Sequence, residues 1–149
     1  MYNFIKHLHS GFRYVVLLLV LTAIIGAFMG WLGNKKYFEG NRRVNLFAMI
    51  SVHTQVLGGI VLYFLSNITQ VAMNNWGEAM KNQTLRYWAL EHVVMMLLAM
   101  VLITIGHAKS KKAVTDVLKH RTIAIYFTLA LIVIVVAILQ SGRPLLGSQ

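Results

Sequence analysis

Four stretches of this chain are apolar over lengths that match a lipid bilayer, and that repetition constrains its fold more than any single motif. The runs lie at about 14–32, 44–66, 85–107 and 122–139. A helix rises about 1.5 Å per residue, so each run is close to the length that crosses a hydrocarbon core of roughly 30 Å. Backbone groups inside such a core must be paired within their own segment, and each run is therefore expected to be a helix. The expected architecture is all-α: an antiparallel four-helix bundle, integral to the membrane, in a single transmembrane domain spanning 1–149.

Composition agrees and excludes several chemistries. The chain is 58% hydrophobic and 12% charged, whereas a soluble domain carries about 25% charged residues. It has no cysteine, which rules out disulfides, thiolate zinc sites, cysteine-ligated iron–sulfur clusters and CxxCH haem attachment. The net charge of +10 comes from short basic runs between apolar segments, with no basic nucleic-acid motif, so it reads as membrane topology rather than nucleic-acid binding. The first and third connections hold nine Lys and Arg, from Lys35 to Arg43 and from Lys109 to Arg121, against five on the opposite side. The positive-inside rule then places those connections in the cytoplasm and both termini outside, in a bacterial inner membrane. The first run reads as a retained span, because no small-residue cleavage site separates it from the basic loop.

Six histidines are a surplus for 149 residues, and their depth distinguishes them. His7, His107 and His120 fall at membrane boundaries, where an imidazole can reach water or a headgroup. His53 and His92 fall within spans, where polar groups normally face the bundle interior and have a partner. His9 lies in a stretch expected to continue the first helix, four residues before Arg13 and on its face. His53 and Gln55 are followed by Gly58-Gly59, a pair that leaves room for a neighbouring helix or a flat ligand. The connection from Asn67 to Thr84, with Trp76 inside it, is the longest and is expected to fold back at the interface. The last span has no ionisable residue and reads as packing and lipid contact.

Only four acidic residues exist, Glu39, Glu78, Glu91 and Asp116. A di-iron carboxylate site needs several inward glutamates, and zinc hydrolysis lacks its HExxH, since Glu91 points about 100° away from His92. Copper stays open, because Met95, Met96 and Met100 follow His92, although methionines in an apolar helix are ordinary core filler. A b-type haem fits better: it needs no covalent attachment, takes axial imidazoles from facing helices, and buries its ring among apolar and aromatic side chains. His92 is the anchor expected from the residues, with His9 or His53 as its partner. Arg13, Tyr14, Arg86, Tyr87 and Trp88 stand near the boundary that propionates favour. A second haem would use His53 with His107 or His120.

The blocks HLHSGFRYVVLL, FAMISVHTQVLGGIVLYF and LRYWALEHVVMMLLAMVLITIG, in that order, resemble a family of small four-span bacterial membrane proteins described as cytochrome b-like. The matching blocks contain His9, His53 and His92, and the resemblance implies haem binding and a place in membrane electron transfer. The expected function is a b-type haem protein relaying electrons, a carrier or subunit of a respiratory redox complex rather than a stand-alone enzyme. Its partners would be lipid, other membrane subunits and a quinone near Arg13, Tyr14, Arg86 and Glu91. Two rival classes use the same residues: a haem-free accessory subunit whose histidines are only hydrogen-bonded, and a transporter passing protons or a metal along them.

Overall fold

A computed structural model describes residues 1–141, and the tail beyond Ser141, including Arg143, lies outside the described residues. The chain is all-α, with α1 at Tyr2–Leu32, α2 at Glu39–Leu65, α3 at Asn67–Asn74, α4 at Trp76–Ala79 and α5 at Gln83–Arg86. A π-helical turn at Tyr87–Glu91 then leads into α6 at His92–Lys112, and α7 covers Asp116–Gln140. Four helical stretches are long and apolar enough to cross a membrane: α1, α2, the continuous Gln83–Lys112 unit and α7. Large apolar side chains stand exposed along all four, among them Leu18, Ile25, Leu57, Leu98 and Ile132. That surface is matched to lipid, and the chain is a multi-pass membrane protein.

Local signals explain where the helices stop. α1 runs through Gly11 and ends in a Schellman turn: Lys35 N–H donates to the Gly30 carbonyl at 2.9 Å and Asn34 N–H to that of Trp31 at 3.4 Å. Asn34 takes the left-handed conformation this turn requires, at φ 50°, which asparagine tolerates better than most side chains. The Thr115 hydroxyl accepts from Leu118 N–H and caps α7. The asparagines of the long connection do the same work, with Asn75 accepting from Glu78 N–H and Asn82 from Leu85 N–H, so this connection is three short helices rather than an open loop.

The four long helices form a ring in the order α1, α2, α6, α7, with α1 and α6 on one diagonal. Neighbours run antiparallel: Gln55 reaches His9, His53 reaches Thr104, and Ser110 reaches Lys119. The core joins Val16, Val20, Ala23 and Ala27 of α1 to Ala48 and Val52 of α2, Ala99 and Ile103 of α6, and Ile123, Ala124, Phe127 and Ala130 of α7. The recurrent alanines allow the backbones to approach closely, as helix packing in lipid requires. α7 is the most buried of the four and α2 the least, so the span whose apolar run has no charged residue is the packing centre.

Candidate functional site

At the end of the bundle that carries the Trp76 connection, the four helices line a cavity of about 340 Å³. α1 contributes His9, Ser10, Arg13 and Val16, and α2 contributes Gln55, Val56, Gly59 and Tyr63. The π turn and α6 supply Tyr87, Trp88, His92 and Met96, and α7 supplies Ile134 and Ile138. This is within the usual size range of small-molecule and cofactor pockets, about 300–1,000 Å³, and its wall is mostly apolar with a few polar groups, as such pockets are.

The Gly58-Gly59 pair makes the first of these positions. A Cβ placed on Gly59 would lie 3.3 Å from His9 Cε1, and one on Gly58 would lie 3.5 Å from His9 Nδ1. The room expected beside the glycines is thus taken by the His9 imidazole, which rests directly on the α2 backbone. Gln55 fixes the same junction by donating from Nε2 to the His9 carbonyl at 2.8 Å. Arg13, one turn further along α1, lines the cavity with His9 and donates to the Tyr14 hydroxyl at 3.0 Å.

The π turn makes the second position, and sequence pattern alone does not reveal it. In a regular α-helix Tyr87 and His92, five residues apart, would stand about 140° apart. Here His92 N–H bonds to the Tyr87 carbonyl, an i→i+5 closure, so the two side chains come to one face. Their ring centroids are 5.8 Å apart, and Trp88 stands 5.1 Å from His92 on the same side. The wider turn is braced from α2, where the Tyr63 hydroxyl donates to the Ala89 carbonyl at 2.7 Å. Arg86 and Glu91 flank it as an ion pair at 2.8 Å. π turns of this kind occur mostly inside α-helices and are frequent at functional sites.

His9 and His92 therefore line one cavity from the two diagonal helices. His53 is not among its lining residues. Its Nε2 lies 2.8 Å from the Thr104 hydroxyl, which itself donates to the Met100 carbonyl at 2.7 Å. The hydroxyl hydrogen is committed to that carbonyl, so His53 Nε2–H is the donor to Thr104. Of the residues that continue the His53 face, Leu57, Ile60 and Phe64 are all exposed, and Ile60 and Phe64 reach the cavity lining while His53 does not.

His7 is exposed, as expected of a boundary histidine, but the other two differ from the expectation of water-reaching side chains. His107 and His120 are only 5% and 2% exposed. His120 packs over Gly30, where a Cβ would collide with its ring, and its Nε2 lies 3.1 Å from the Lys36 carbonyl. The Schellman turn carries that carbonyl back across the helix end, which explains why His120 turns inward. His107 is sealed among the helices, and among the described residues neither ring nitrogen has a hydrogen-bond partner.

Among the described residues, no three or more His, Cys, Asp or Glu side chains are grouped to hold a metal ion. No family model, curated protein or solved structure matches the chain.

Proposed function

We propose that the cavity holds one b-type haem, and that His9 and His92 are the residues that would ligate its iron. The observation that carries this reading is that both imidazoles line one largely apolar, aromatic-walled cavity. Two imidazoles from diagonal helices suit a group that brings its own in-plane ligands, whereas a bare metal ion would need further donors. The remaining residues fit such a group as well. Gly58-Gly59 allow His9 to sit close against α2, Tyr63 and Trp88 offer aromatic walls, and Arg13 is a cation placed to meet a carboxylate.

A bound haem supplies reversible one-electron chemistry. The chain's own side chains bind and orient it, limit its contact with water and place a positive charge beside it, which are the levers a protein has over its potential. The resemblance of the His9, His53 and His92 blocks to cytochrome b-like proteins points the same way. In this reading the protein is an electron carrier or redox-complex subunit of a bacterial inner membrane. Its lysine-rich connections face the cytoplasm, and its electrons come from a quinol or a neighbouring subunit at the opposite surface.

The test is spectroscopic. Protein purified from haem-replete cells is expected to be red, with reduced-minus-oxidised bands of a bis-histidine b haem at one haem per chain. The haem-free chain should bind haemin to the same spectrum. A colourless preparation that also fails to take up haemin overturns the reading in favour of a haem-free accessory subunit.

A further inference from the structure

The Tyr87 hydroxyl stands between two groups. It is hydrogen-bonded to the Ala137 carbonyl of α7, and it lies 3.5 Å from His92 Nδ1. A carbonyl oxygen can only accept, so the single hydroxyl hydrogen of Tyr87 goes to Ala137. What the phenol presents to the imidazole is an oxygen lone pair, and a contact of that polarity is favourable only when Nδ1 carries a hydrogen. A neutral histidine has one N–H, so the lone pair able to bind another group then resides on Nε2.

We propose that Tyr87 is the positioning residue of the site: through Ala137 it holds His92 in the Nδ1–H tautomer and leaves Nε2 as the ligating atom. Three features of the fold converge on this arrangement. The i→i+5 closure of the π turn brings Tyr87 and His92 to one face, where a regular helix would separate them. Tyr87 is itself only 5% exposed, so its hydroxyl is shielded from water that would scramble the hydrogen-bond direction. The acceptor belongs to a different helix, which registers α7 against the π turn and fixes the phenol along its length. His53 gives the contrast, since it donates through Nε2 to Thr104 and so has the opposite tautomer. A second group that orients a ligating histidine by accepting from its other ring nitrogen also raises the basicity of the ligand, and its loss typically costs ten- to a hundredfold in metal affinity.

The tautomer is inferred from the contacts of Tyr87 with Ala137 and His92, while its use for ligation rests on the haem reading, and the experiment separates the two. The full-length, haem-free chain with ring-15N histidine is examined by NMR in lipid nanodiscs, with His92→Gln identifying the signal. We expect the His92 proton on Nδ1, and Tyr87→Phe should move it toward Nε2, the form an isolated neutral imidazole prefers. A wild-type His92 protonated on Nε2 overturns the proposal without any need for the variant. Tyr87→Phe is expected to fold, because the Ala137 carbonyl keeps its bond from Ser141 N–H at 3.1 Å. In haemin titrations the same variant should bind about tenfold more weakly and at a raised reduction potential. Equal affinity and potential in wild type and Tyr87→Phe overturn the positioning role, whereas a wild type that takes no haemin but shows the Nδ1–H tautomer overturns only the haem reading.

Discussion

The two ends of this bundle are built from the same parts and finish differently. Each holds two inward histidines and a glycine that admits an imidazole against a helix backbone: His9 over Gly59 at the Trp76 end, and His120 over Gly30 at the lysine-rich end. At the lysine-rich end the space around the ring is filled. Tyr37 packs edge-on against His120 with centroids 5.0 Å apart, and Asn45 donates to the Tyr37 hydroxyl at 2.9 Å. A small hollow at this end, lined by Tyr37, Glu39, Arg42, Lys111 and Lys119, excludes both histidines. At the Trp76 end the two imidazoles border a cavity instead of a packed layer. An inward histidine at membrane depth is thus not by itself a site; what decides is whether the helices close over it or leave room beside it.

The sharpest way to break this contrast is to remove the histidines one at a time. His92→Ala and His9→Ala are expected to abolish the bis-histidine spectrum, because each would take one axial ligand. His107→Ala and His120→Ala should keep the colour and lose stability instead. For His120 the cost is expected to be about 2–4 kcal/mol, as for other large-to-alanine changes at packed positions. Absorbance spectra and denaturant titrations of the four variants separate the outcomes, and a bleached His107→Ala or His120→Ala protein would show that the lysine-rich end is also a site.

Much of this fold is legible in the sequence, for a physical reason. Bilayer thickness fixes helix length, and the absence of water forces every backbone group into the helix, so the four spans follow from apolar run length alone. The His9 and Arg13 pairing follows from helical spacing, and the room at Gly58-Gly59 from missing side chains. The rest depends on contacts between helices. The π turn is an i→i+5 arrangement braced by Tyr63 and by Ala137, residues 26 and 50 positions from their partners, and the local composition of YWALE gives no sign of it. The choice between His9 and His53 as partner of His92 turns on helix rotation, and Thr104 on α6 takes His53 out of the cavity lining. The inward turn of His120 depends on the Lys36 carbonyl, which only the Schellman turn of a distant connection delivers.

Glycine substitutions probe the contrast at lower energy. Gly30→Ala places a methyl into the His120 ring, and Gly106→Ala places one 2.5 Å from Tyr126 Cβ. Both should destabilise the chain by about 1–3 kcal/mol, the usual cost of overpacking, and leave the spectrum alone. Gly59→Ala needs only a few tenths of an ångström from the His9 ring, which borders open space, and alanine is favoured in a helix by up to about 1 kcal/mol. Its stability should change by less than about 1 kcal/mol, while haemin affinity falls because His9 is displaced. Equal loss of stability at Gly30 and Gly59 would mean that the two ends are packed alike.

The smallest expected effect falls on His53, which lies between the two ends and belongs to neither. Its bond to Thr104 joins α2 to α6, the least extensive neighbour contact in the ring. Interhelical hydrogen bonds in membrane proteins contribute about 0.6 kcal/mol on average, because the separated helices find other partners. His53→Ala is therefore expected to keep the full haem spectrum and to lose about 0.6 kcal/mol. Thr104→Val should lose a similar amount, and the double variant should lose less than the sum of the two, since a bond already broken cannot be broken again. Colour loss in His53→Ala with Thr104→Val unaffected would make His53 a ligand, move the iron toward the middle of the bundle and leave His9 as a packing residue against the α2 glycines.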